Sequence, residues 1–165
     1  MIKTKRCLIS SFRESDYHSI KQLWMDDQVR LYLGGAIKDE SSLKRKFVDL
    51  LKKANRRGSY FFTIRSIETG EFIGLVSLDK YHDGNRTEVS YELLPSKWGI
   101  GFGTEIISRI MKYAFEELGL TQLVAETQTA NIKSCLLLER IGMLLEKKII
   151  RFGSEQAVYY KEKIV

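Results

Sequence analysis

The chain has 165 residues, and its 27 lysines and arginines outnumber its 21 aspartates and glutamates, which gives a net charge of +6. This length predicts one domain, residues 1–165, that can bury a core without disulfides or a structural metal. No apolar run approaches the roughly 18 residues that span a bilayer, and we expect no signal peptide. Cys7 and Cys135 are far apart, which argues against a disulfide scaffold and predicts a cytoplasmic protein.

The first third of the chain predicts one strand and two helices. The segment from Cys7 to Phe12 is typical of a short strand. Asp16 is well placed to cap a first helix that runs to Met25. Ser41 or Ser42 is expected to cap the second helix, in which apolar residues recur at the helical period and basic residues lie between them.

Three strands joined by short turns are predicted next, from Tyr60 to Ser66, from Glu71 to Tyr81 and from Thr87 to Leu94. Short connections imply that these strands form an antiparallel meander. The third strand alternates strictly. One of its faces carries Val89, Tyr91 and Leu93, and the other carries Glu88, Ser90, Glu92 and Leu94.

A glycine-rich loop and an amphipathic helix follow this strand. The loop contains Gly99, Gly101 and Gly103, and the helix is predicted to end at Gly119. Backbone N–H groups of residues 99–104 can converge where a helix begins, which favours the binding of a phosphate. A tight turn with no ligand is the alternative. The loop lacks both the Gly-Lys-Ser/Thr of nucleotide-triphosphate loops and the dinucleotide-binding spacing.

The last part of the chain predicts a strand from Gln122 to Thr127, a helix capped by Asn131 or Thr129, and two final strands. Those strands, from Leu144 to Phe152 and from Ala157 to Ile164, are expected to meet at a turn at Gly153-Ser154. The resulting order is βααβββαβαββ, which predicts an α/β (α+β) protein whose mixed sheet is covered by helices.

The central segment resembles the acetyl-CoA loop of the GNAT N-acetyltransferase superfamily. The resemblance rests on the strand from Glu88 to Leu93, on Pro95, and on the run Trp98-Gly99-Ile100-Gly101-Phe102-Gly103-Thr104-Glu105. It is strongest to the branch that includes ribosomal-protein N-terminal alanine acetyltransferases, and it extends over nearly the whole chain. It implies a mostly antiparallel sheet of about seven strands with about four helices.

The resemblance also implies acetyl-CoA as co-substrate, held by the central loop, by main-chain groups at the end of the preceding strand, and by an asparagine. The residues implied are Leu93, Leu94, Gly99, Ile100, Gly101, Phe102, Gly103, Thr104 and Asn131. Asn131 as only a helix cap is the alternative. The two histidines and two cysteines have no paired spacing, so we expect no metal site.

Acetyl transfer to an amine requires a base near the nitrogen and benefits from a hydrogen-bond donor near the sulfur. We predict Glu88 as the base, directly or through a water, with Glu92 as the alternative. Family likeness suggests Ser134 as the donor to the sulfur. Many superfamily members have a tyrosine acid seven residues after the asparagine, but this chain has Leu138 there. Tyr91 remains an open alternative.

The predicted function is acetyl transfer from acetyl-CoA to a primary amine, either a protein N-terminus or a small molecule, by a monomer or homodimer. We expect neither a membrane nor nucleic acid as partner. The competing hypothesis is a noncatalytic basic module that binds acyl-CoA or RNA, since a net positive charge suits both ligands. Catalysed CoA release distinguishes the two hypotheses.

Overall fold

The computed structural model describes residues 1–164, which form eight strands and four α-helices. The strands are β1 (Ile2–Lys3), β2 (Cys7–Ser11), β3 (Tyr60–Ser66), β4 (Phe72–Lys80), β5 (Thr87–Leu93), β6 (Gln122–Gln128), β7 (Leu144–Arg151) and β8 (Ser154–Glu162). The helices are α1 (Tyr17–Trp24), α2 (Glu40–Ala54), α3 (Phe102–Glu116) and α4 (Ile132–Arg140). None of these helices has both the length and the hydrophobicity required to cross a membrane.

The strands form one sheet in the order β1-β2-β3-β4-β5-β6-β8-β7. All neighbouring strands are antiparallel except β5 and β6, which are parallel. The predicted mixed, mostly antiparallel fold is confirmed, with eight strands rather than about seven. The additional strand is β1, where Ile2 pairs with Ile9. Two residues are too few for an alternating pattern, so the sequence contains no signal for this strand.

Both faces of the sheet are covered by helices. On one face, α3 and α4 pack over a core that includes Val76, Val89 and Ile107. On the other face, α1 and α2 pack over a separate core that includes Leu75 and Phe47. The two faces of β5 therefore meet different helices, as the alternation of its side chains predicts.

One predicted helix cap is wrong. Asp39 caps α2, because its carboxylate accepts a hydrogen bond from the Ser42 backbone N–H at 2.9 Å, whereas Ser41 and Ser42 lie inside the first turn. Asp16 is the N-cap residue of α1, as predicted, but its side chain makes no capping bond to that helix. Its carboxylate instead accepts from the Arg13 N–H at 2.8 Å and closes a one-turn 3-10 helix ahead of α1.

The final hairpin turns at Phe152 and Gly153, one residue earlier than predicted, so that β8 begins at Ser154. Phe152 has φ 53 and Gly153 has φ 75. Phenylalanine rarely adopts a positive φ, so the sequence favoured the Gly-Ser pair as the turn.

Candidate active site

The parallel strands β5 and β6 pair only where both begin. Thr87 is opposite Leu123 and Glu88 is opposite Val124, and beyond these pairs the strands separate. A groove with a volume of about 860 Å³ opens between them. It is bounded by the end of β5, the glycine loop, the start of α4 and the segment 28–33 between α1 and α2.

Main-chain groups at the end of β5 point alternately toward β4 and toward this groove. The Leu94 N–H donates to the Ile73 carbonyl at 2.9 Å, and the Leu94 carbonyl accepts from the Lys97 N–H at 2.9 Å. Leu93 has the opposite orientation, and its carbonyl accepts from the Trp98 indole N–H at 2.9 Å. Leu93 therefore presents its N–H to the groove, whereas Leu94 can offer only the second lone pair of its carbonyl.

The glycine loop ends in a row of free backbone donors. Within residues 1–164, the N–H groups of residues 99–104 have no hydrogen-bond acceptor, and the first bonded one is that of Glu105, which donates to the Gly101 carbonyl at 3.1 Å. Gly101 is the N-cap of α3 and has no side chain to satisfy these donors. The positive end of the helix dipole adds to their field. The arrangement fits a diphosphate.

The glycines of the loop have different tasks. Gly101 has φ 88, a left-handed conformation that residues with a side chain rarely adopt. Gly103 lies inside α3, where a β-carbon would collide with the Leu137 side chain of α4. Gly103 therefore allows α3 and α4 to approach closely, and only its backbone N–H can serve a ligand.

Arg6, in the turn between β1 and β2, supports this loop and was not identified from the sequence. Its guanidinium donates to the Glu105 carboxylate at 2.8 Å and to the Ile100 carbonyl at 2.9 Å. The same group lies 4.0 Å from the centre of the Phe102 ring. Because Arg6 is distant from these residues in sequence, no local pattern predicts the contact.

Asn131 and Ser134 lie together at the start of α4. Asn131 is the N-cap, and its side-chain oxygen accepts from the Ser134 N–H at 3.3 Å. The capping prediction for Asn131 is confirmed. The Ser134 hydroxyl faces β5, where its oxygen lies 2.9 Å from the Tyr91 hydroxyl oxygen. Leu138 is buried one turn further along the helix.

Glu88 lies where β5 and β6 separate, on the sheet face opposite to Tyr91. The pKa of Glu88 is raised from its ordinary 4.5 to about 7, chiefly by burial and secondly by the nearby charge of Glu126. A hydrogen bond from the Glu126 backbone and the charge of Arg151 act in the opposite direction. The carboxylate can therefore exchange a proton near neutral pH.

Glu126 is held by three neighbours from other strands and turns. Its carboxylate accepts from the Tyr81 hydroxyl at 2.6 Å and from the Arg151 guanidinium at 3.1 Å, and it lies 3.0 Å from the His82 imidazole nitrogen. No local sequence pattern predicts this cluster, since its members lie on three separate elements. Glu126 lies two residues after Val124, the partner of Glu88, and is therefore on the face of Glu88.

Glu92 lies on the same face as Glu88, two residues further along β5. It is opposite Leu75, which packs against α1 and α2. Burial raises the pKa of Glu92, and the positive charges of Lys46 and Arg30 lower it. Among residues 1–164, no cluster of His, Cys, Asp and Glu side chains is arranged to bind a metal ion.

Comparisons with known proteins agree with this geometry. Residues 6–144 match the family model described as an acetyltransferase (GNAT) domain. The uncharacterized N-acetyltransferase YoaA of Bacillus subtilis is 27% identical over 171 residues, which cover 99% of this chain and 94% of that protein.

Two solved structures show the same fold. The spermidine N-acetyltransferase of Vibrio cholerae, in complex with CoA and spermine, superposes with a TM-score of 0.80 at 18% identity, covering 94% of this chain and 95% of that one. The ribosomal-protein-S5-alanine acetyltransferase of Vibrio fischeri superposes with a TM-score of 0.78 at 16% identity, covering 97% and 94%.

Because the family model spans most of the chain, and because the fold and the amide-lined groove agree with it, the noncatalytic alternative is set aside. The protein belongs to the GNAT family and is an acetyl-CoA-dependent N-acetyltransferase.

Proposed function

We propose that residues 1–165 act as one catalytic domain in which Glu88 is the base, Ser134 assists the sulfur, and the acceptor is a primary amine with a single positive charge. The observation that carries this proposal is the opening between β5 and β6, which begins directly after Glu88. It connects the face that carries Glu88 with the face that carries Tyr91 and Ser134. An amine and a thioester can then meet through the gap in the sheet.

Acetyl-CoA supplies the activated acetyl group when it is bound. The free N–H groups of residues 99–104 would hold its diphosphate, and the free N–H of Leu93 would pair with the amide-bearing arm. Asn131 can contribute its side-chain amide N–H groups, since its oxygen is used in capping α4. These groups are fixed by α3, β5 and α4, so binding requires little reorganisation.

Glu88 is favoured over Glu92 as the base. With a pKa of about 7, Glu88 is ionised in a large fraction of molecules at neutral pH and can take a proton from an ammonium group. Glu92 lies beside Lys46 and Arg30, whose charges oppose the approach of a cationic acceptor. Glu88 first takes one proton from the ammonium group and releases it to solvent. The neutral amine nitrogen then forms its bond to the acetyl carbon, the carbon–sulfur bond breaks with its electron pair on the sulfur, and the second nitrogen proton passes to Glu88 directly or through a water.

The charge balance of the groove supports an acceptor with one ammonium group. Glu126 is paired with Arg151 and His82, and Glu92 is close to Lys46 and Arg30. Glu88 makes no ion pair in the described part of the chain, and Arg151, whose charge acts on it, is itself paired with Glu126. A polyamine carries several charges and would leave at least one of them without a partner.

The outer wall of the acceptor side is largely apolar. It is formed by the segment between α1 and α2, where Val29, Leu31 and Leu33 line the groove. This segment is fixed in place because the Gln128 side-chain amide donates to the Tyr32 carbonyl at 3.0 Å. The wall suits a peptide N-terminus or a small amine with an apolar substituent, and we place the peptide first.

A panel of acceptors tests the proposal by measuring CoA release with a thiol reagent. The panel contains an alanine-starting peptide, a small apolar monoamine and spermidine. We expect kcat/KM for the peptide or the monoamine to exceed that for spermidine by about tenfold or more, since each unpaired buried charge costs over 1 kcal/mol. A preference for spermidine would refute the single-charge argument. Acetyl-CoA binding without turnover of any acceptor would refute the catalytic roles.

A further inference from the structure

A pair of hydroxyl groups crosses the groove between β5 and α4. Tyr91 projects from β5 and Ser134 from the first turn of α4, and their oxygens are 2.9 Å apart. Both residues are half-buried and line the groove. The Tyr91 ring packs against the core beneath α3 and α4, which leaves its hydroxyl as the part that reaches the groove.

Counting the hydrogens of this pair shows that one is always free. Two hydroxyl groups carry two hydrogens, and the bond between them uses one, whichever oxygen is the donor. Neither oxygen has another hydrogen-bond partner in residues 1–164. The second hydrogen is therefore available to a ligand in the groove.

We propose that Tyr91 and Ser134 form a coupled hydrogen-bond donor for the sulfur that leaves during acetyl transfer, with Tyr91 as the residue that orients Ser134. This inference rests on the proposed function and on the role assigned there to Ser134. The Tyr91–Ser134 pair would take the place of the tyrosine acid of other superfamily members, whose position is occupied here by Leu138. When the Tyr91 hydroxyl donates to the Ser134 oxygen, the Ser134 hydrogen is free to point at the sulfur. The two hydrogen bonds then form a chain, in which the bond from Tyr91 polarises the Ser134 hydroxyl and strengthens it as a donor.

The chemistry requires no net proton transfer from the pair. As the carbon–sulfur bond breaks, its electron pair moves to the sulfur, which accepts a hydrogen bond as a thiolate. Burial raises the pKa of Tyr91, so the phenol keeps its proton while the thiolate forms. The thiolate, whose parent thiol has a pKa near 8.5, takes its proton from water on release.

The variant Tyr91→Phe isolates the hydroxyl, because the ring and its packing are retained. We expect kcat to fall about tenfold, with KM for acetyl-CoA changed less than about twofold. This fall in kcat is smaller than the one expected from removing the donor altogether, because Ser134 remains. Ser134→Ala should lower kcat at least as much, and the double variant should lose no more than Ser134→Ala alone. Tyr113→Phe is the matched control, since Tyr113 is a half-buried tyrosine whose hydroxyl makes no hydrogen bond to residues 1–164, and its rates should equal those of the wild type.

A binding experiment tests the same pair without turnover. Calorimetry compares CoA with desulfo-CoA, which lacks the thiol, at about pH 6 and about pH 9, on either side of the thiol pKa. The wild type should prefer CoA more strongly at the higher pH, by about fivefold or more. Tyr91→Phe should reduce this gain and Ser134→Ala should lose it, while both variants bind desulfo-CoA normally.

The outcomes separate the inference from the function on which it rests. If the wild type binds neither compound, the proposed cofactor site is wrong and the inference fails with it. If the wild type binds both and transfers acetyl groups while Tyr91→Phe keeps the wild-type kcat and the wild-type preference for CoA, only the donor pair is refuted. Loss of kcat in Tyr91→Phe with an unchanged preference for CoA would also refute it, because a donor to the sulfur must affect both.

Discussion

Replacing Glu88 by glutamine separates the cost of burying this carboxylate from its use in catalysis. The ordinary pKa of 4.5 is raised to about 7 in the folded chain. Between these values the unfolded chain loses the proton and the folded chain keeps it, so the folded state binds more protons there. The contribution of Glu88 to stability is fully present below pH 4.5 and is lost as pH rises through about 7.

The size of this loss follows from the difference in pKa. A difference of about 2.5 corresponds to roughly 3 kcal/mol. Glutamine is nearly isosteric with glutamate and cannot ionise. The free energy of unfolding of Glu88→Gln at about pH 8 should therefore exceed that of the wild type by about 1–3 kcal/mol, where the lower end allows for a hydrogen bond that the amide makes less well than the carboxylate. The advantage should disappear below pH 4.5. Urea denaturation followed by circular dichroism across this pH range measures both values.

The same variant should lose activity. We expect its kcat/KM to fall about 10²–10⁴-fold, the usual contribution of a positioned base. In the wild type, kcat/KM should rise with pH through about 7, where Glu88 ionises. This rising limb of the pH–rate profile should stay at the same pH for two acceptors whose amines differ in pKa, because it reports the ionisation of Glu88 in the enzyme. Glu92→Gln is the matched control and should keep the limb.

Two results would refute the reasoning. Wild-type rates in Glu88→Gln would remove this residue from the mechanism, and a limb that follows the pKa of the acceptor would report the amine instead of the enzyme. A variant that is inactive and also less stable at about pH 8 would contradict the raised pKa, since removing an unfavourable buried charge stabilises a protein.

Three further predictions concern residues around the groove. Arg6→Ala should raise KM for acetyl-CoA about fivefold or more with little change in kcat, because Arg6 orders the glycine loop and does not contact the acceptor. Initial rates at varied acetyl-CoA concentration measure this KM, and an unchanged KM would contradict the prediction. Arg151→Ala removes a positive charge that lowers the pKa of Glu88, so the limb in kcat/KM should move to higher pH; a limb that stays or moves down would contradict this. Gly74→Ala should cost more than about 2 kcal/mol in urea denaturation, since its β-carbon would collide with the Glu92 carbonyl across the β4–β5 ladder, and full wild-type stability would refute that collision.

Short-range sequence patterns predicted only those parts of the site that are built from consecutive residues. The alternation of β5 assigned Tyr91 and Glu88 to opposite faces, and the structure has them there because a strand exposes successive side chains on alternate sides. Asn131 as a cap followed from its position directly before an apolar helical pattern. In each case the interactions that decide the outcome lie within a few residues.

Contacts between distant segments could not be predicted in this way. The pairing of Tyr91 with Ser134 joins residues that are 43 positions apart, and the Arg6 contact to Glu105 spans 99 positions. The pKa of Glu88 depends on burial and on Glu126, which belongs to the neighbouring parallel strand. Parallel strands are joined through a crossover helix, so no short-range pattern records which of their residues become neighbours.

From its residues alone, this chain specifies the order of its helices and strands, the glycine loop before α3, and its likeness to the acetyltransferase family, because each is written in local periodicity or in a continuous motif. The folded chain adds the separation of β5 from β6, the free hydroxyl hydrogen at Tyr91 and Ser134, and the environment that raises the pKa of Glu88. These depend on burial and on distances between segments that only packing brings together, and a carboxylate or hydroxyl acquires its chemistry from those surroundings.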